Sequence, residues 1–350
     1  MKSLIIILLY IVIVDVSGKL YYHQDRIPSD VDVYNQSKVH VIQDSRHQTK
    51  YNGYEHLCPD AANIAPCVCT YDWWDNIMDI NCSAVESEEQ LKQIFKADFP
   101  FKNFKKFTFH NNTNMKVLEA GVFNNISFEI IDIKLNSLEV IELEALDSCY
   151  ERATNIDLRR NRITSFPFDE LSHFSKLLNF DISNNLLSSI PADAFNGLTT
   201  LETLQVIANG ANIVGTFQDL PNLVTIGLTY NDLPTTIPAN FINIGSPDLW
   251  YIAMNGNGIV SVEPGAFDIV DGLFIDIRDN SISTLDEATW RPYLEAEGWI
   301  QASLNPLICG CDIAWLFGED QLLEHVGEYT TTCADGQYLH DLDPTIFDQC

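Results

Sequence analysis

From Phe107 to Ala302 pairs of apolar residues recur two positions apart, each pair followed three residues later by an asparagine. The pairs are Phe107 and Phe109, Ile131 and Ile133, Ile156 and Leu158, Phe180 and Ile182, Leu204 and Val206, Ile226 and Leu228, Ile252 and Met254, Ile275 and Ile277, and Ile300 and Ala302. Their asparagines are Asn112, Asn136, Asn161, Asn185, Asn209, Asn231, Asn257, Asn280 and Asn305, spaced by 22 to 26 residues. Two apolar residues separated by one outward residue predict a short strand, because successive side chains point to opposite faces. One strand per unit of fixed length predicts a stack of coils. Each coil must turn sharply after its strand and carry backbone polar groups inward. A buried amide side chain, with both a donor and an acceptor, satisfies such groups, so the nine asparagines are expected to form a structural ladder. The return path is clearest in the unit that runs through Leu187, Ile190, Pro191, Ala194, Phe195 and Leu198. Phe195, Phe241 and Phe267 are expected to be core plugs beneath the convex side.

This is the L-x-x-L-x-L-x-x-N-x-L pattern of leucine-rich repeats, present nine times. The expected fold is an α/β-type solenoid, a curved horseshoe with short parallel strands on its concave face. A stack of repeats exposes its two end coils, which must be capped. Cys58, Cys67, Cys69 and Cys82 lie just before the repeats, and Cys309, Cys311, Cys333 and Cys350 just after. Zinc is the competing reading for four cysteines, but it favours C-x-x-C pairs, whereas each cluster here holds a C-x-C. The start of the chain supports disulfides. Lys2, an apolar run from Leu4 to Val14, and small residues at Ser17 and Gly18 have the form of a secretory signal peptide. That run is shorter than the roughly 20 residues needed to cross a bilayer, so no membrane span is expected. The predicted organisation is a signal peptide over 1–18, a flexible polar segment over 19–57, a cysteine-rich cap over 58–103, nine repeats over 104–305 and a second cap over 306–350.

The repeats resemble the extracellular leucine-rich-repeat superfamily, and the run Asn305-Pro306-Leu307-Ile308-Cys309-Gly310-Cys311-Asp312 with Trp315 resembles its carboxy-terminal cap. That resemblance implies the pairs Cys309–Cys333 and Cys311–Cys350. The amino-terminal C-x8-C-x-C-x12-C resembles a variant of the matching cap and implies Cys58–Cys69 and Cys67–Cys82. Four short stretches carry a narrower resemblance: Cys58-Pro59-Asp60, Ala65-Pro66-Cys67-Val68-Cys69, Ser87-Glu88-Glu89-Gln90-Leu91 and Asp98-Phe99-Pro100-Phe101. Together they are similar to a family of secreted arthropod proteins typified by the non-catalytic subunit of a shrimp luciferin monooxygenase. What that resemblance implies is an interaction subunit without chemistry of its own.

Charge narrows the partners. The 350 residues hold 20 Lys and Arg against 49 Asp and Glu, a formal net charge of −29. The imbalance is uneven: residues 1–176 hold 18 basic and 25 acidic side chains, whereas 177–350 hold only Arg278 and Arg291 against 24 acidic ones. Nucleic acid is excluded as a partner, because phosphate binding draws on clustered cations. No H-E-x-x-H, G-x-S-x-G, Walker loop or G-x-G-x-x-G occurs, and the eight histidines show no metal spacing, so neither a cofactor nor a metal is expected. Cys149 stands alone and is read as a small buried hydrophobe, with an intermolecular bridge as the alternative.

The concave face is the default binding surface of such a stack. Asp132, Asp157 and Asp181, beside Lys134 and Arg159, are expected to form an ion-pair lattice over the early repeats. Later the outward rows become small and uncharged, then aromatic. Tyr251, Phe274 and Trp299 succeed one another six residues before their asparagines, with Gln205, Thr229 and Asn255 nearby, and these six are the candidate ligand-binding residues. Asn35, Asn81, Asn111 and Asn125 open N-x-Ser/Thr sequons, which predicts sugar near the amino-terminal end. The reading is a secreted, non-catalytic protein-binding subunit or accessory protein whose partner is another extracellular protein, either basic or a small secreted subunit. The alternatives are a soluble extracellular recognition or matrix protein, and an enzyme with an unrecognised site.

Overall fold

The computed structural model describes residues 57–350, apart from 73, 192, 214, 216, 319–321 and 328–329, together with a two-residue antiparallel pairing of Ile13–Val14 with Leu20–Tyr21. The expected signal peptide, the polar segment up to residue 56 and the sequon at Asn35 otherwise lie outside the described residues.

One sheet of eleven strands organises the described residues from 57 onward. It starts with an antiparallel hairpin, Val68–Asp72 (β1) and Ile77–Asn81 (β2). Parallel strands follow in chain order: Asn103–Thr108 (β3), Ser127–Asp132 (β4), Asn155–Asp157 (β5), Asn179–Asp181 (β6), Thr203–Gln205 (β7), Thr225–Gly227 (β8), Tyr251–Ala253 (β9), Phe274–Asp276 (β10) and Trp299–Gln301 (β11). The register places the equivalent apolar residue of each repeat opposite the next, Phe180 against Leu204 and Leu204 against Ile226, so the repeat read from the sequence is the sheet itself. Short two-residue pairings also join coils away from this sheet, such as Ser189–Ile190 with Asn212–Ile213 and Thr236–Ile237 with Ser261–Val262; the period of the main strands gives no sign of them.

The core under the early strands is built of rings. Phe107 lies 4.8 Å from Phe123, 5.0 Å from Phe128 and 6.2 Å from Phe95, all fully buried. Phe195, Phe241 and Phe267 are buried on the return path. Among the described residues two α-helices are longer than one turn. Glu88–Ile94 is capped by the Ser87 hydroxyl, which accepts from the Gln90 amide at 3.2 Å, and Glu287–Glu295 by Asp286, which accepts from Thr289 at 3.2 Å. The second helix buries Trp290 and Tyr293 inside the last coils. The ends carry four disulfides: Cys58–Cys69 and Cys67–Cys82 at one, Cys309–Cys333 and Cys311–Cys350 at the other. Cys149 is buried, and burial pushes its thiol up to about 11, which removes it from thiolate chemistry near neutrality.

Eight of the nine ladder asparagines are buried, and Asn209 is half-buried. Asn185 shows how a rung works in both directions. Asn185 Nδ2 donates to the carbonyls of Ile182 in its own coil (2.9 Å) and Leu158 in the preceding one (3.1 Å). Its Oδ1 accepts from the Ile163 amide at 3.0 Å. The residue before each rung has a positive φ in all nine repeats: Asn111, Leu135, Arg160, Asn184, Ala208, Tyr230, Gly256, Asp279 and Leu304. Left-handed backbone costs a residue with a Cβ roughly 1–2 kcal/mol. The step persists because it swings the next side chain into the core while its own N–H still reaches the neighbouring coil, as Leu135 N to Arg159 O at 3.0 Å and Tyr230 N to Asn255 O at 3.0 Å.

Candidate binding face

The outward residues of β3 to β6 and of β7 to β11 differ in kind. On the early strands Asp132 is a hub. Its buried carboxylate meets Lys106 (2.7 Å), His110 (2.6 Å) and Lys134 (3.1 Å). Lys134 also reaches Asp157 at 3.5 Å, and Arg159 bridges Asp157 (2.9 Å) and Asp181 (3.7 Å). Lys106 and His110 were not legible as members, since they belong to the lattice only through the register of β3 against β4. Burial opposes the charge on Asp132, but the three donors outweigh it and hold the carboxyl below its usual range. Asp181, poorer in donors, is pushed up by burial. Every charge here has a partner within the lattice.

The later strands carry rings. The register aligns Thr225, Tyr251, Phe274 and Trp299 in one row. Tyr251 and Phe274 touch with ring centroids 5.6 Å apart, and both are half-buried. Trp250, 41% exposed, extends the group at 5.5 Å from Tyr251. It falls outside the outward rows of the repeat, which is why the pattern missed it. Trp299 is divided from this pair in role. It is half-buried against His325 of the carboxy-terminal cap, ring centroids 4.9 Å apart, and so helps seat the cap.

Not every row that alternation assigns to the outside is open. Thr229 is only 7% exposed, with its hydroxyl donating to Asn255 Oδ1 at 2.7 Å, so of that pair Asn255 presents the open amide. Gln205 is half-buried and lies across Gly227, where an added Cβ would sit 2.0 Å from its Oε1. Asp276 is 1% exposed because Arg278 covers it, with Nε donating to Oδ1 at 2.9 Å and Nη2 to Oδ2 at 2.6 Å. The Tyr251 hydroxyl lies 3.5 Å from the same carboxylate, and burial followed by that charge pushes its pKa up to about 12. The neighbouring flank adds Tyr230, 49% exposed, whose ring covers Gly256: a Cβ there would lie 2.2 Å from it. The result is a surface of rings and amides around one self-neutralised ion pair, suited to desolvation by a protein partner.

The other cation of this half, Arg291, is held by Glu287 (2.8 Å) and Glu295 (3.3 Å). At the opposite end Asn81, Asn111 and Asn125 are all exposed. Among the described residues no group of three His, Cys, Asp or Glu side chains is arranged to hold a metal, and no helix is long and apolar enough to cross a membrane.

Comparison with known proteins agrees with this architecture. A family model described as Leucine rich repeat matches residues 151–210 and 180–233. The Oplophorus-luciferin 2-monooxygenase non-catalytic subunit of Oplophorus gracilirostris is 31% identical over 315 residues, covering 83% of this chain and 87% of that protein. Among solved structures, the chain matches one in an octameric complex of Latrophilin 3, Unc5D and FLRT2 (LRR) with a TM-score of 0.55 and 17% identity, covering 83% of this chain and 99% of that one. It matches one in a TLR13–ssRNA13 complex with a TM-score of 0.54 and 17% identity, covering 69% of this chain and 39% of the other. At that identity the two structures establish the fold alone.

Proposed function

The chain belongs to the leucine-rich-repeat family of the Oplophorus-luciferin 2-monooxygenase non-catalytic subunit, and from that membership we propose that it is a secreted, non-catalytic binding subunit that holds another protein on the later half of its concave face. One observation carries the location: Trp250, Tyr251 and Phe274 form a contiguous ring surface on neighbouring strands, with no unpaired charge inside it. The disulfides at both ends suit an oxidising, extracellular setting. The partner is basic. Residues 177–350 have 24 acidic side chains, and both of their cations are occupied internally, so the field around the rings attracts positive charge. Sugar at Asn111 and Asn125 would leave this half free while crowding the other end.

Purification of the native secreted protein, followed by mass spectrometry of what accompanies it, identifies the partner, and a stoichiometric companion is expected. With that partner in surface resonance, Tyr251→Ala and Phe274→Ala should each weaken binding about tenfold or more, the signature of an interface anchor. Asp132→Ala and Asp157→Ala should each change it less than about threefold. Association should slow as salt rises. A larger loss from the aspartate variants would move the site to the early repeats.

A further inference from the structure

A second surface feature lies at the other end of the sheet. A cleft of about 210 Å³ opens where β1 and β2 meet the amino-terminal ends of β3 and β4, and its walls include Tyr71, Met78, Phe101, Lys105, Glu129 and Arg152. Tyr71 is fixed by its hydroxyl donating to Asn76 Oδ1 at 2.7 Å, Met78 is buried, and Phe101 is 47% exposed. These three give the cleft an apolar side.

The charged side is unbalanced. Lys105 and Glu129 pair with each other and cancel. Arg152 has no such partner. Nη2 donates to the Phe104 carbonyl at 3.3 Å, Nε is shut off from solvent without an acceptor, and among the described residues no carboxylate comes within 4.0 Å of the guanidinium. A guanidinium with neither a carboxylate nor a full set of acceptors stands out in a chain with 49 acidic residues against 20 basic ones. Its planar fork fits a carboxylate with two parallel hydrogen bonds. The cleft has the volume of about seven liquid waters at ~30 Å³ each, room for a single ring or a short aliphatic body.

We propose that this cleft binds a carboxylate carried on a compact aromatic or aliphatic body, with the carboxylate on Arg152 and the body against Tyr71, Met78 and Phe101. The site is separate from the ring surface of the later repeats, and either can hold without the other. The same chemistry occurs in a free small organic acid and in the carboxy-terminal residue of a partner chain.

Titration calorimetry on the full secreted protein tests it with 3-phenylpropionate and its neutral amide as probes. The acid should bind, and the amide about tenfold more weakly or not at all. Arg152→Gln should abolish that preference while leaving the unfolding temperature unchanged, and Arg152→Lys should keep part of it. A peptide ending in phenylalanine, with free or amidated terminus, separates the sources: tighter binding of the free-ended peptide than of phenylpropionate assigns the site to a partner's terminus, and weaker binding to a small acid. The proposal is overturned if acid and amide bind equally, if neither binds at up to about 10 mM, or if Arg152→Gln still prefers the acid. Should that variant fail to fold, the acid-against-amide comparison on the unaltered protein decides alone.

Discussion

β4 and β10 occupy equivalent places in one sheet, yet their outward chemistry is opposite. On β4 the outward row is led by Asp132, buried and locked by Lys106, His110 and Lys134. On β10 the equivalent Asp276 is sealed under Arg278, and Phe274 faces out beside Tyr251. The inward positions of the strands differ too, with a cluster of rings around Phe107 early and aliphatic Ile252, Met254, Ile275 and Ile277 later. Backbone hydrogen bonds and asparagine rungs are alike in both halves. A repeat backbone is therefore indifferent to its outward row, and that row is where one half becomes scaffold and the other becomes surface for a partner.

The sharpest break in that comparison is in the core. Phe107 and Ile252 hold the same position in their repeats and are both fully buried. Phe107→Ala should cost about 3–5 kcal/mol by denaturant unfolding. It should exceed Ile252→Ala, because the ring pairs with Phe123 and Phe128 add roughly 0.5–1.5 kcal/mol beyond burial. Equal losses would mean that the ring cluster adds nothing to packing.

The ladder predicts a smaller, graded effect. Asn185→Ala should destabilise by about 1–3 kcal/mol, since it strands carbonyls of two coils and the Ile163 amide. Asn209 makes the equivalent donor bonds, to Ile182 (3.2 Å) and Val206 (3.1 Å), but its Oδ1 has no hydrogen-bond partner among the described residues. Asn209→Ala should cost less than Asn185→Ala, and a larger loss at Asn209 would show that the rungs are not ranked by their bonds.

The smallest effect is electrostatic and has opposite signs at two members of the same lattice. The Asp132 carboxyl is held below its usual 3.8, so its contribution is full above that value and is lost as pH falls through the depressed one. Asp132→Asn should cost about 1 kcal/mol at pH 7 and remove that part of the acid sensitivity. The Asp181 carboxyl is raised above 3.8, so its ionisation opposes folding above the raised value, and the opposition disappears below 3.8. Asp181→Asn should leave stability at pH 7 unchanged or slightly higher. Thermal unfolding across pH 2–8, roughly the span over which carboxylates titrate, reads both, and matching slopes for the two variants would refute the assignment.

Much of the molecule is legible in its sequence. A period of 22 to 26 residues with two apolar positions and an asparagine identifies strand, turn and rung at once, because each coil repeats the same local geometry. The aromatic row was legible for the same reason: Tyr251, Phe274 and Trp299 stand six residues before their rungs. The structure divides that row by its contacts. Trp299 is partly taken up by His325 of the cap, and Trp250, which joins the surface, sits off the row.

The sequence by itself thus determined the register: which side chains point inward, which asparagines become rungs, and which rows face out. The tertiary structure alone decided which outward residues stay open. Alternation along one strand assigns a face and nothing more, whereas exposure depends on side chains arriving from the next coil, about 4.8 Å away, and from the caps. Gln205 lies over Gly227, Arg278 seals Asp276, Thr229 turns to Asn255, and Arg152 is left without a carboxylate. Gln205 and Gly227, and Thr229 and Asn255, stand more than 20 positions apart, so no single repeat contains the information that sets those two contacts, whereas Arg278 closes over Asp276 from within its own repeat.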